Sequence, residues 1–305
     1  MEKKQKRKIT IVIAVLSCAL LASIGANVWQ AFRGWDSYLQ DPEEIYIMEA
    51  GILSQNLQFS EGEDIDITYD LSHSDYATLR EKYRLEEIAG DGSEFDKALR
   101  LMDQFAPRLT HASNYDNHVE MAALPLLEYS LDRKSHGINC RAKAQILNEC
   151  CLALGIYSRK VWIMPLSPFD NDCHVVNEVW DTALDKWVML DITNNQYWVD
   201  ESGTPLSVLE IRTKGAEQEF CTPVVVGEKT DNLQALREKH MGSFIYIMKN
   251  MAYTEYCTVN TVGEGETIYL LFPENLESSY QYILSESSVT KSPIAVDNIQ
   301  HLLNS

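Results

Sequence analysis

Three residues of this 305-residue chain have the types and the order of a thiol triad: Cys140, His174 and Asp191. A thiol becomes a strong nucleophile only as a thiolate, so it needs a base beside it, and the base needs an orienting group. Cys140 follows Gly137-Ile138-Asn139 and opens the run RAKAQILNECCLALG, in which Ile146, Leu147, Cys150, Cys151 and Leu154 share one helical face. Backbone N–H groups and the helix dipole at that first turn favour a thiolate. His174 opens one β-like run and Asp191 closes the next, 17 residues on, with the turn Ala183-Leu184-Asp185-Lys186 between them. An odd separation across an even loop places both side chains on one face, where they meet directly or diagonally. Each residue alone has a structural reading: cysteine is often buried, a single histidine often belongs to the core, and Asp191 before Ile192-Thr193 can cap a turn. Chain order, helix-start placement and hairpin parity together favour chemistry.

The elements that must position these groups are legible from periodicity and punctuation. Helical spacing covers Ser74–Leu85, Phe95–Phe105 and His118–Leu131, the last with an internal proline. Ser93 is placed to cap the second, and Pro107 follows its end. Gly155 is placed to end the Cys140 helix in a left-handed cap. Asp64–Tyr69 reads as an edge strand, Tyr157–Pro165 as a strand, Ser167–Asp172 as a polar loop, and Cys173–Thr182 with Trp187–Asp191 as a hairpin. A helix over Asn232–Met241 precedes strands in Phe244–Cys257 and Thr267–Phe272. Helices segregated from an antiparallel sheet make an α+β fold. Trp162, Trp180, Trp187 and Trp198 are expected in the core or as cleft wall, with Trp180 and Trp187 packing across the hairpin turn. Glu178 is expected at a solvated strand position. His111, His118 and His136 are expected on the surface, His136 being nearest to Cys140 in sequence.

No metal or cofactor is expected. The seven cysteines contain no C-x-x-C pair, the neighbours Cys173 and His174 would point to opposite faces of a strand, and Asp170-Asn171-Asp172 lacks the spaced ligands of a calcium loop. Cys140, Cys150, Cys151, Cys173, Cys221 and Cys257 would be free to form disulfides in an oxidising compartment.

The N-terminus reads as a membrane signal. Residues 9–32 carry no charge and follow Lys3, Lys4, Lys6, Arg7 and Lys8, so residues 9–32 are expected to span a membrane with residues 1–8 cytoplasmic and the rest outside. Ser23-Ile24-Gly25 leaves signal-peptide cleavage and secretion as the alternative. A juxtamembrane stretch, 33–60, continues an interfacial aromatic set of Trp29, Phe32, Trp35 and Tyr38, and 61–305 form one domain with its core in 95–212. The whole chain has a formal charge of −19, and because residues 1–8 are basic the remainder carries −23. So acidic a body repels phosphate backbones, which argues against nucleic acid as a partner.

The segment GINCRAKAQILNECCLALGIYSRKV, followed by HVVNEVW and KWVMLDIT, resembles the transglutaminase-like superfamily. There a Gly precedes a Cys that opens a helix ending in Leu-Gly-Ile, an Arg-bearing strand follows, and a His strand pairs with a Trp-x-x-x-Asp-x-Thr strand. The resemblance implies a papain/transglutaminase-like core with Cys140 as nucleophile, His174 as general base and acid, and Asp191 as its orienter. It also implies amide-bond chemistry through a thioester, completed by water or an amine, on a protein or a cell-wall peptide. A catalytically inactive member that binds or scaffolds at the cell surface is the alternative. Two features depart from the pattern: both Ile138 and Asn139 separate Gly137 from Cys140, and Val176 stands where an aromatic residue is usual.

Overall fold

His174 and Asp191 lie on neighbouring antiparallel strands in the computed structural model of the chain, which describes residues 2–40, 42–166, 170, 172–229, 232–264, 268–276 and 292–302, and the side chains of these except 2–6 and 32–43. The side chains of Phe32, Trp35, Tyr38, Lys3, Lys4 and Lys6, and most of the loop expected at Ser167–Asp172, therefore lie outside the described residues. The chain divides into two compact units, Met1–Tyr46 and Ile47–Ser305. In the first, α1 (Glu2–Gln40) contains a stretch, Arg7–Ala31, long and apolar enough to span a membrane. Helix α2 (Pro42–Ser54) carries the chain across the boundary between the units.

In the second unit, α2 is followed by a two-residue strand, β1 (Thr68–Tyr69), and by the helices α3 (Asp75–Tyr83), α4 (Leu85–Ala89), α5 (Glu94–Phe105) and α6 (Ala123–Asp132). The expected edge strand at Asp64–Tyr69 thus shrinks to two residues, paired in parallel with β8 (Val259–Asn260). The helix expected over Ser74–Leu85 is broken by Arg84, which sits at φ 56° between α3 and α4. Ser93 and Asp96 form a reciprocal capping box that starts α5. Helix α6 begins at Ala123 rather than His118, which places Pro125 in the first turn, where its missing N–H breaks no helical bond.

Next come α7 (Cys140–Ala153), β2 (Ser158–Met164), β3 (His174–Asp181), β4 (Lys186–Asp191) and β5 (Gln196–Val199). Gly155 at φ 75° closes α7: its N–H reaches the Leu152 carbonyl, and the Ile156 N–H that of Cys151. The remainder comprises α8 (Val208–Ala216), β6 (Thr222–Val225), α9 (Leu233–Lys239), α10 (Met241–Lys249), β7 (Tyr253–Cys257), β8, β9 (Ile268–Leu271) and α11 (Val296–Gln300). The strands expected across Phe244–Cys257 are corrected here. Met241–Lys249 is helical because Phe244, Ile247 and Met248 recur at helical spacing and are buried, leaving only Tyr253–Cys257 extended.

Seven strands form one antiparallel sheet in the order β6-β5-β4-β3-β2-β7-β9. Helices α3 to α7 share one apolar core with Val179, Val188 and Leu190 of the sheet, and every residue of α7 from Ala142 to Ala153 is buried. The opposite face is covered too, since the Glu178 carboxylate accepts the Val208 N–H of α8 at 2.8 Å. Every residue of β3 is consequently buried. Cys18, Cys140, Cys150, Cys151, Cys173 and Cys221 are not joined in disulfides.

Candidate active site

The turn before the nucleophile is built from Gly137, Ile138 and Asn139. A Cβ on Gly137 would lie 2.7 Å from that of Ala112, so only glycine allows this close approach. Ile138 is fully buried; its N–H donates to the Thr110 carbonyl and its carbonyl accepts from the Ala112 N–H, each at 3.0 Å. Asn139 caps α7, its Oδ1 accepting the Ala142 N–H at 3.0 Å. The two residues between Gly137 and Cys140 thus serve as a core anchor and a helix cap. Cys140 becomes the first residue of α7, where unsatisfied N–H groups gather.

The hairpin delivers the other two groups. In the observed register Asn177 faces Leu190 and Trp180 faces Trp187, which sets His174 one diagonal step from Asp191 on the same face. His174 Nε2 lies 3.1 Å from Asp191 Oδ2, with both side chains almost wholly buried. Asp191 is held from behind: Oδ1 accepts the N–H groups of Thr193 and Asn194, and Oδ2 accepts Asn194 Nδ2 at 2.7 Å and Gln196 Nε2 at 3.3 Å. The imidazole and the Val175 N–H both act on the Cys140 thiol to favour its charged form.

Burial and charge act in opposite directions on all three groups. Burial pushes the Cys140 thiol up, but the His174 hydrogen bond and charge outweigh it and hold the thiol below its ordinary range. Burial opposes the imidazolium of His174, yet the Asp191 carboxylate first, and Cys140 after it, push its pKa up to about 10. Asp191, which burial alone would raise, is held below the usual carboxylate range by His174, Asn194 and Gln196. The arrangement favours a thiolate–imidazolium pair, the reactive form of a thiol.

Cys140, half-exposed, opens into a cleft of about 800 Å³ lined also by His111, Ser113, Tyr115, Trp162, Asn194 and Tyr246. Trp162 is a cleft wall, as expected, while Trp180 and Trp187 pack edge to face across the hairpin at 5.5 Å. His111 is exposed, as expected, and lines the cleft from the segment bridged to Ile138; partial burial, Lys143 and His174 all lower its pKa. His136 is directed away from the site, stacked on Tyr129. Lys143, one turn along α7 from Cys140, is buried and feels the charges of Asp191 and Cys140. Among the described residues no cluster of metal-ligating side chains occurs.

Glu178 corrects its expectation. It is buried, and its Oε2 accepts Arg159 Nη2 at 2.6 Å and Nε at 2.9 Å, while the guanidinium stacks 3.9 Å over Trp187. The pair joins β2 to β3 in the core.

Residues 82–192, which hold Cys140, His174 and Asp191, match the family model of the transglutaminase-like superfamily. No curated protein matches the chain. Among solved structures, a candidate cysteine protease from Cytophaga hutchinsonii is 20% identical, with 46% of each chain covered and a TM-score of 0.32. A candidate protease from Parabacteroides distasonis is 14% identical, with 52% of this chain and 30% of that one covered and a TM-score of 0.26. The chain spans less than half the length of either structure. Through residues 82–192, the chain carries a transglutaminase-like domain in an α+β fold with an antiparallel sheet.

Proposed function

We propose that the chain is a membrane-held thiol hydrolase that cleaves an amide bond of a protein or peptide. The thiolate of Cys140 adds to the carbonyl carbon, and the C–N bond breaks as the His174 imidazolium gives its proton to the departing amine, leaving a thioester on Cys140. Water then adds to the thioester while the neutral imidazole takes its proton. The C–S bond breaks, the carboxylic acid leaves, and the proton returns to the Cys140–His174 pair. Asp191 keeps the ring oriented and its charged form favourable throughout. The Cys140 N–H at the helix start is placed to donate to the developing oxyanion. Water is favoured over an amine as acceptor because the cleft is broad and bears polar groups, His111, Ser113 and Asn194, beside a half-exposed sulfur. The segment 7–31 holds the enzyme in the membrane, with its basic N-terminus cytoplasmic and its body outside.

The observation that carries this reading is the buried His174–Asp191 ion pair on the same cleft as Cys140. Alkylation by iodoacetamide, mapped by mass spectrometry across pH, tests it. Cys140 should label well below pH 7, where an ordinary thiol with a pKa of about 8.5 is mostly protonated. His174→Ala should abolish that low-pH labelling. A Cys140 that labels no faster than free cysteine at every pH would leave the fold as a binding or scaffold domain.

A further inference from the structure

Helix α10 lies outside the family-matched segment, yet it forms one side of the cleft through Gly242, Ser243 and Tyr246. The Tyr246 ring packs against the His174 imidazole in a T-shaped contact, with centroids 5.6 Å apart and planes at 68°. Its hydroxyl donates to Asp172 Oδ1 at 3.1 Å, two residues before the histidine. One turn on, Lys249 Nζ reaches Asp170 Oδ2 at 2.8 Å and Asp172 Oδ2 at 3.2 Å. The α10 helix is therefore tied to the segment that leads into His174, with an aromatic ring laid against the imidazole.

Resting on the acyl-transfer reading above, we infer that Tyr246 is a positioning residue for His174: its ring keeps the imidazole between Cys140 and Asp191 and keeps water from that ion pair. An ion pair shielded from water is less screened, so it holds the thiolate form to lower pH. The groups that act on the imidazole are Asp191 from β4, Cys140 from α7 and His111 from the segment bridged to Ile138, with Lys143 of α7 acting on Asp191, Cys140 and His111. Asp172 acts on it through Tyr246. The Tyr246 phenol is itself pushed up by burial and by Asp172, so it stays neutral and contributes shape and a dipole rather than charge.

The acid limb of Cys140 alkylation by iodoacetamide tests this in the full chain. Tyr246→Ala should move the limb to higher pH by about one unit, as expected when water reaches a buried charge pair. Tyr246→Phe, which keeps the ring and loses only the bond to Asp172, should move it by less than half as much. The fully buried Cys150 and Cys151 report folding in the same spectra, since they stay unlabelled only in folded protein. Should Tyr246→Ala expose them, Tyr246→Leu, which fills part of the space without an aromatic ring, takes its place, with a smaller shift in the same direction expected. An unshifted limb in the folded variant, or Phe and Ala shifted alike, overturns the role of the ring. A wild-type chain without any low-pH labelling sinks the thiol-enzyme reading instead, so the two failures are distinct.

Discussion

His174 is the residue on which both partners converge, and its protonation links chemistry to stability. In the unfolded chain its pKa is near 6.5, and in the folded one about 10. A group whose folded pKa is raised stabilises the fold fully below its unfolded pKa and loses that contribution as pH rises through the folded one. The imidazolium should therefore support the fold at pH 6 and support it progressively less up to pH 10. Because Cys140 titrates against it, the measurement belongs in a Cys140→Ala background. There the melting temperature should fall from pH 6 to 10 by more than in the Cys140→Ala, His174→Gln double variant. Equal slopes would show that the ring gains nothing from Asp191. In the otherwise native chain, His174→Ala should lower turnover of an amide substrate by about 10²–10⁴-fold, the usual worth of a positioned acid–base, measured as kcat.

At the scale of elements, β2 and β3 are joined by a buried ion pair of residues other than Cys140, His174 and Asp191. Arg159 and Glu178 sit directly opposite each other, and the pair also receives the Val208 N–H of α8 and reaches the Ile299 carbonyl of α11. Removing one partner strands a buried charge, so Arg159→Ala should cost about 3–5 kcal/mol in denaturant unfolding. Arg159→Met with Glu178→Leu should recover a large part of that loss, because two apolar side chains leave no charge unpaired. A single variant as stable as wild type would mean the pair is solvated. The same pair marks where sequence reading stopped. Cys140, His174 and Asp191 were legible as candidates because a helix start and hairpin parity are local properties, marked by helical periodicity, Gly155 and an even turn. Glu178 was not, because alternation along one strand does not reveal that α8 and α11 cover the second face. Nor was α10: FIYIM is rich in aromatic and β-branched residues, and its helical state comes from burying Phe244, Ile247 and Met248, a tertiary effect that overrides propensity. Tyr246 and His111 stayed hidden with it, since only long-range packing brings them to the cleft.

At the scale of the whole molecule, charge and hydrophobicity are segregated along the chain, and this predicts how it meets a membrane. The body beyond residue 8 carries −23, so an anionic bilayer repels it, and any attachment has to come from the N-terminal segment. Two mechanisms are open to that segment. The cluster Lys3, Lys4, Lys6, Arg7 and Lys8 can bind headgroups, an attraction that salt screens; Arg7–Ala31 can enter the hydrocarbon, a transfer that salt does not weaken. Flotation with phospholipid vesicles separates them. The full chain should float with neutral and anionic vesicles alike and remain with them in about 1 M salt, where the Debye length is roughly 3 Å. A chain lacking residues 7–31 should stay at the bottom of the gradient with either lipid. Release of the full chain by salt would reduce the helix to an electrostatic contact, and with it would go the reason for placing the cleft of Cys140 outside the cell. On intact cells the orientation is tested separately: added protease should digest the body, and a body digested only after lysis would reverse the topology drawn from the five basic residues.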